Sequence, residues 1–316
     1  MPVPPWLEQS GFAGRRHLPA LARSHRPQRG AADPQAALDH SLRRRWAAHL
    51  DVQAEDLLIC ASAAEAWRLL CGACLPPEAV VLLAEPAAIV LPAAVLGAGA
   101  AYLDLGRDGR GEIDNAAVAR ACQLHPDALL LGERPSLFGT DDGAAWGDSA
   151  ALRPRLLDAR YGAVWAGEGA ADGAAEATVI CLRDPDSPAR PLLHAIVCQA
   201  GSGEALGAIQ GPDALPVLLL EAALATLGRI AGAEPGELET WRAKLAATHR
   251  RFSALAAQHP GAVTFAPGGT RAAIECRAGD AGALFEPMQA AGLVIDAYGG
   301  HPMRDLLVCD LAASVA

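Results

Sequence analysis

The sequence predicts an α/β protein: a mostly parallel sheet buried on both faces, followed by a smaller α+β C-terminal region. Three observations carry this expectation. From residue 79 to residue 184, short and continuously apolar runs alternate with helical patterns, the texture of strands covered on both sides by crossover helices. The chain has 316 residues, 52% of them hydrophobic and 20% charged, which allows a large core of ordinary globular composition. Near Gly211 the alternation gives way to two long helical patterns and then to strands mixed with a helix.

Taken in order, residues 1–33 are rich in Pro, Arg and Gly with little periodicity and read as an arm lying on the body or on a partner subunit. A helix is expected from Pro34, with Asp33 as N-cap and Leu38, Leu42, Trp46 and Leu50 as its apolar stripe. The run Leu57 to Cys60 is a short strand, and AAEAWRLLCGACL is a helix stopped by Pro76 and Pro77. AVVLLAEP, AAYLDLG, DALLLGERP, RPRLLDARY and ATVICLRDP read as strands. AIVLPAAVLGAG and GEIDNAAVARACQLH, with Asp114 near its start, read as the helices between the earlier ones. HAIVCQAG adds a further strand, expected to be antiparallel. Beyond Gly211, PDALPVLLLEAALATLGRIAG and PGELETWRAKLAATHRRFSALAAQHPG are long helices. AVTFAP, RAAIECRAG, LVIDAY and DLLVCDLA are strands, with a helix near AGALFEPMQAAG. The expected organisation is an arm over 1–33, a large domain over 34–210, and bridging helices with a small α+β domain over 211–316.

A net charge of −10 disfavours a nucleic-acid or anionic-membrane surface. Eight scattered cysteines, mostly inside apolar runs, have the habit of buried reduced thiols and point to a cytoplasmic protein. The first residues lack the pattern of a signal peptide, and the longest apolar stretch, Ala79 to Ala101, is interrupted by Glu85, Pro86 and Pro92, so no membrane span is expected. Cys71 and Cys74 have metal-knuckle spacing, but no second such pair exists and they lie in an apolar helix, which makes them packing residues. Gly201, Gly203 and Gly207 do not have dinucleotide-loop spacing. His301 with Asp305 and Asp310 is more simply a set of scattered polar residues around short strands.

The stretch from Asp158 to Gly203 contains two apolar strands, each ending at a polar turn: LLDARY, and CLRDPDSPAR 29 residues later. Together with LLICASAAEAWRLL, the loop ALLLGERPSLFGT, and GLVIDAY and LLVCDLA near the C-terminus, these motifs resemble fold-type I pyridoxal-phosphate enzymes. The resemblance is to class I/II aminotransferases close to histidinol-phosphate aminotransferase, and it runs from about Leu42 to Leu311. It implies a three-layer aspartate-aminotransferase-type fold, pyridoxal phosphate as cofactor, and a homodimer or a heterodimer with an active aminotransferase. Carried over position by position, it implies that Asp158 pairs with the pyridine nitrogen and Tyr161 bonds the ring hydroxyl. It sets Ser136 at a ring-contacting asparagine, Ala88 at a stacking aromatic, and Ser62, Ala63 and Ala64 at the phosphate turn. Ser187 falls at the Schiff-base lysine, Arg190 near a phosphate-binding arginine, and Leu307 near a substrate-carboxylate arginine.

The chain's one lysine, Lys244, lies in an amphipathic helical segment and reads as a solvated helix residue. Chemistry through an aldehyde cofactor needs an amine nucleophile. The expectation is therefore no covalent cofactor attachment, loss of transamination, and a role as partner, scaffold or regulator. The alternative is a divergent pyridoxal-phosphate enzyme, of transaminase or lyase type, acting on an amino acid or phosphorylated amino compound. A third reading is a protein that binds such a compound in the vacant pocket.

Overall fold

A computed structural model describes residues 34–146, 155–162, 165–167, 175–198, 215–277, 279–301 and 304–315. The expected arm, the Asp33 cap and the glycines at 201, 203 and 207 lie outside these residues, as do the side chains of Arg190 and His301.

The first helix, α1 (Pro34–Leu50), buries Leu42 and Trp46, with Leu38 and Leu50 packed partly against the same core. Next come β1 (Leu57–Cys60), α2 (Ala63–Cys74), β2 (Val80–Leu83), α3 (Val90–Gly97), β3 (Ala101–Asp104), α4 (Asn115–Leu124) and β4 (Leu129–Glu133). Asp114 caps α4 by accepting from the Ala116 amide at 2.9 Å. Then follow β5 (Arg155–Asp158), β6 (Ala177–Asp184) and β7 (Ser187–Cys198). β2 to β6 pair in parallel, and β7 runs antiparallel to both of its neighbours, β6 and β1. The sheet order is β1-β7-β6-β5-β4-β2-β3. This is the expected architecture, with one difference in extent. The antiparallel strand begins at Ser187, well before HAIVCQAG, because Asp184 and Ser187 face each other across a tight hairpin turn.

The C-terminal part contributes α5 (Val217–Ala231), α6 (Pro235–Ala256), β8 (Val263–Thr264), β9 (Arg271–Arg277), α7 (Ala281–Ala290), β10 (Val294–His301) and β11 (Arg304–Asp310). Its four strands form an antiparallel sheet in the order β10-β11-β9-β8. Alternation along the strands sorts the core into faces. Ile180 and Leu182 of β6 join α1, α5, α6 and the inner face of the second sheet, including Ile274 and Leu307. Val179 of β6 joins Leu131 of β4, Leu156 of β5 and the α2 residues Trp67 and Leu70 on the opposite face. The first of these clusters is continuous across both sheets. All eight cysteines are free and buried, including Cys71 and Cys74, which face the core from α2; burial pushes the Cys71 thiol up to about 12.

Candidate functional site

In a doubly wound sheet, the chain leaves one strand to the right and its neighbour to the left, opening a crevice at their C-terminal ends. Here that point lies between β2 and β4, since β3 sits outside β2 while β5 and β6 continue beyond β4. The strand ends beside it are acidic. Glu133 ends β4, Asp158 ends β5, and the two are register partners. By alternation from Leu131 and Leu156, both carboxylates project onto the α2 face, and both are fully buried.

An isolated buried carboxylate is costly, so each requires a partner. The chain supplies one arginine per acid. Arg160, two residues beyond Asp158, donates from Nε to Oδ1 at 2.7 Å and from Nη2 to Oδ2, while its own amide also donates to Oδ1 at 3.2 Å. Arg160 is 6% exposed. Burial works against its charge, yet Asp158, Tyr161 and Glu133 together hold the guanidinium more firmly protonated than usual. Arg271, at the start of β9 in the second sheet, donates to Glu133 Oε1 at 3.0 Å. The Glu133 oxygen also accepts from the Ala88 amide at 3.2 Å. Burial pushes the Glu133 carboxyl up, with Arg271 opposing it. Asp142, in the 3₁₀ turn Asp142–Trp146, receives both Arg107 nitrogens at 2.7 and 2.8 Å and accepts from the Glu133 amide at 2.9 Å.

Tyr161 sits between these pairs. The Arg271 guanidinium carbon lies 3.1 Å from its ring centroid and that of Arg160 4.9 Å, both cation–π contacts. Beneath the turn, His194 of β7 is the register partner of Cys181 on β6 and Cys60 on β1. Burial first, and then the Arg160 charge, push His194 down to about 3, so its imidazole is neutral near pH 7. Cys181 and Arg183 both donate to the Arg160 carbonyl, at 3.1 and 3.0 Å. Among the described residues no group of His, Cys, Asp and Glu is placed to hold a metal ion.

Of the residues expected to hold a cofactor, Asp158 and Tyr161 lie together in this cluster, with Ala88 beside Glu133. Ser62 is the N-cap of α2: its Oγ accepts from the Glu65 amide at 3.1 Å, and Glu65 Oε2 accepts from the Ala61 amide at 2.7 Å. The Ser62 side chain thus caps the helix, and Glu65 holds the amide of the residue before the cap. Ala63 is the first residue of that helix. The Ser136 hydroxyl is drawn into its own loop, 2.7 Å from Thr140 Oγ1 and accepting from the Phe138 and Thr140 amides. Ser187 is exposed at the β6–β7 hairpin, whose acids Asp184 and Asp186 pair with Arg229 of α5. Leu307 is buried in β11. Lys244 is exposed on α6, on the sheet face opposite the Asp158 side chain, and lines an open groove of about 360 Å³ with Trp165, Arg229 and Trp241.

These residues do not fit pyridoxal phosphate. A ring carboxylate must be free to meet the pyridinium nitrogen, and both oxygens of Asp158 already receive Arg160. A phosphate at a helix start uses unmet amides, and at α2 the Ser62 hydroxyl takes the Glu65 amide while the Glu65 carboxylate, held by the Ala61 amide, sets a negative charge at the same helix start. Arg160, Glu133, Arg271, Arg107 and Asp142 carry no motif in the sequence; the β4–β5 register and the docking of β9 are what gather Glu133 and Arg271 beside the Asp158–Arg160 turn. The Ser62-x-x-Glu65 signature, by contrast, was readable.

No protein-family profile matches the chain, and no curated protein matches it by sequence. Solved structures do. Histidinol-phosphate aminotransferase from Sinorhizobium meliloti, in complex with pyridoxal-5'-phosphate, is 15% identical at a TM-score of 0.68, covering 94% of this chain and 84% of that one. Aspartate aminotransferase from Thermus thermophilus with maleate is 16% identical at 0.66, covering 98% and 84%. Serine palmitoyltransferase from Sphingomonas wittichii is 12% identical at 0.65, covering 97% and 80%. The likenesses span nearly the whole chain, and they establish its fold.

Proposed function

We propose that this chain, which has the fold-type I aminotransferase fold, is a non-catalytic member of that architecture, acting as a partner, scaffold or regulator. The observation that carries the reading is the absence of an amine at the strand end where the chemistry would need one. Ser187 stands in the exposed turn after β6, and Lys244 lies on the far side of the sheet. A serine hydroxyl cannot form or exchange a Schiff base. The acidic net charge and the buried thiols fit a cytoplasmic protein, and the fold's usual assembly makes a homodimer, or a heterodimer with an active aminotransferase, the expected state.

The test is spectroscopic. Purified protein incubated with pyridoxal phosphate is expected to show no internal-aldimine absorbance and no borohydride-trapped adduct. A stoichiometric adduct on Lys244, or turnover of an amino donor, would overturn the reading. Co-purification with an active aminotransferase, lost when residues 1–33 are deleted, would support the partner role.

A further inference from the structure

We propose that Arg160 is a built-in occupant of the carboxylate pocket at the ends of β4 and β5, closing it to planar cationic ligands such as a pyridinium or a free guanidinium. This rests on the aminotransferase-fold reading but concerns non-covalent occupancy, which the missing amine does not decide.

Three features favour occupancy over an incidental ion pair. The first is geometry: a guanidinium is flat, delocalised and cationic, and the Nε/Nη2 edge of Arg160 meets Asp158 as a fork, using both carboxylate oxygens at once. The second is the enclosure. Tyr161 contacts both the Arg160 and the Arg271 guanidinium, so a flat cation already lies against the aromatic residue of the pocket. The third is the seal on the other side. Arg271 comes from the second sheet, and its pairing with Glu133 is joined by the Thr270 amide donating to the Tyr161 carbonyl at 2.8 Å. Gly268 lies so close to the Ser136 carbonyl that an added Cβ would approach its oxygen to 2.1 Å. The second sheet is therefore pressed against the mouth of the pocket by backbone contact as well as by charge.

Occupancy by a side chain predicts that deleting it leaves a cavity matched to its own head group. The experiment compares wild type, Arg160→Gly, and Asp158→Asn/Arg160→Gly, with ethylguanidine as the probe and the melting temperature as the readout. Ethylguanidine is expected to raise the melting temperature of Arg160→Gly saturably, while leaving the wild type and the double variant unmoved. Arg160→Ala guards against a glycine variant that fails to fold. It removes the γ- and δ-carbons and the guanidinium, the groups that ethylguanidine restores, and it is expected to melt lower than wild type and to gain from ethylguanidine. In parallel, wild type is titrated with pyridoxamine phosphate, which has no aldehyde and so reports non-covalent binding alone; no saturable change in tryptophan fluorescence is expected. Equal responses to ethylguanidine in wild type and the Arg160 variants would overturn the proposal. So would saturable pyridoxamine phosphate binding by wild type that Asp158→Asn abolishes.

Discussion

Arg160 and Asp158 form a pair whose energetics depend on what is removed. Deleting one member of a buried pair strands the other, whereas replacing both by apolar groups removes the desolvation cost along with the attraction. Arg160→Ala is therefore expected to lose about 3–5 kcal/mol in urea unfolding, while Asp158→Leu/Arg160→Leu falls far less or gains stability. Equal losses in the single and double variants would show that the pair contributes packing rather than charge. His194 makes a separate prediction. Its unfolded pKa is near 6.5 and its folded pKa about 3. Between those values the unfolded chain holds more protons, so stability falls as pH falls, by up to about 1.4 kcal/mol per pH unit from this one residue. His194→Gln should flatten that dependence between pH 6.5 and 3, measured as the slope of unfolding free energy against pH. Neither residue's environment was legible in the sequence. Asp158 stood out as a polar residue closing an apolar run, but its pairing with Arg160 depends on the turn folding back within two residues.

At the scale of elements, α2 and the Gly268 connection are built on opposite logic. The start of α2 is fixed by Ser62 and Glu65, so Ser62→Ala is expected to cost about 1 kcal/mol. Gly72 lies within the same helix with nothing within 4 Å of an added Cβ, and Gly72→Ala should stabilise by about 0.5–1 kcal/mol. Gly268→Ala meets a carbonyl at 2.1 Å and should lose about 1–3 kcal/mol as the β9 entry is forced off the β4 loop. Three midpoints from denaturant titration check the set, and a stabilising Gly268→Ala would contradict the close approach. The helices and strands themselves were legible. Apolar periodicity located α1 and α6, continuous apolar runs located β2 and β4, and Asp114 marked the start of α4. The early start of β7 was not, since Ser187 to Arg190 carry no strand signature and are extended by pairing with the end of β6.

For the whole molecule, the long helices α5 and α6, the first sheet and the second sheet share one continuous apolar cluster, in which Ile180, Phe252, Ile274 and Leu307 are all fully buried. Cooperative unfolding follows from a shared core. Near-ultraviolet circular dichroism, which reports the packed tryptophans, and far-ultraviolet circular dichroism, which reports the helices, are expected to give coincident transitions. Two resolved transitions would mean that the sheets are held together more weakly than their common core implies. The sequence by itself determined the order of elements, the mostly parallel character of the first sheet and the α+β character of the C-terminal part. It also determined the missing amine, because these follow from apolar period, turn residues and the identity of one side chain. The tertiary structure decided what fills the crevice. Asp158 and Arg160 are neighbours in the chain, but the register of β4 on β5 sets them beside Glu133 and the docking of β9 brings Arg271 to the same place. A crevice at such a switch point is where open α/β sheets take a ligand, and here the chain's own arginines meet the acids that line it.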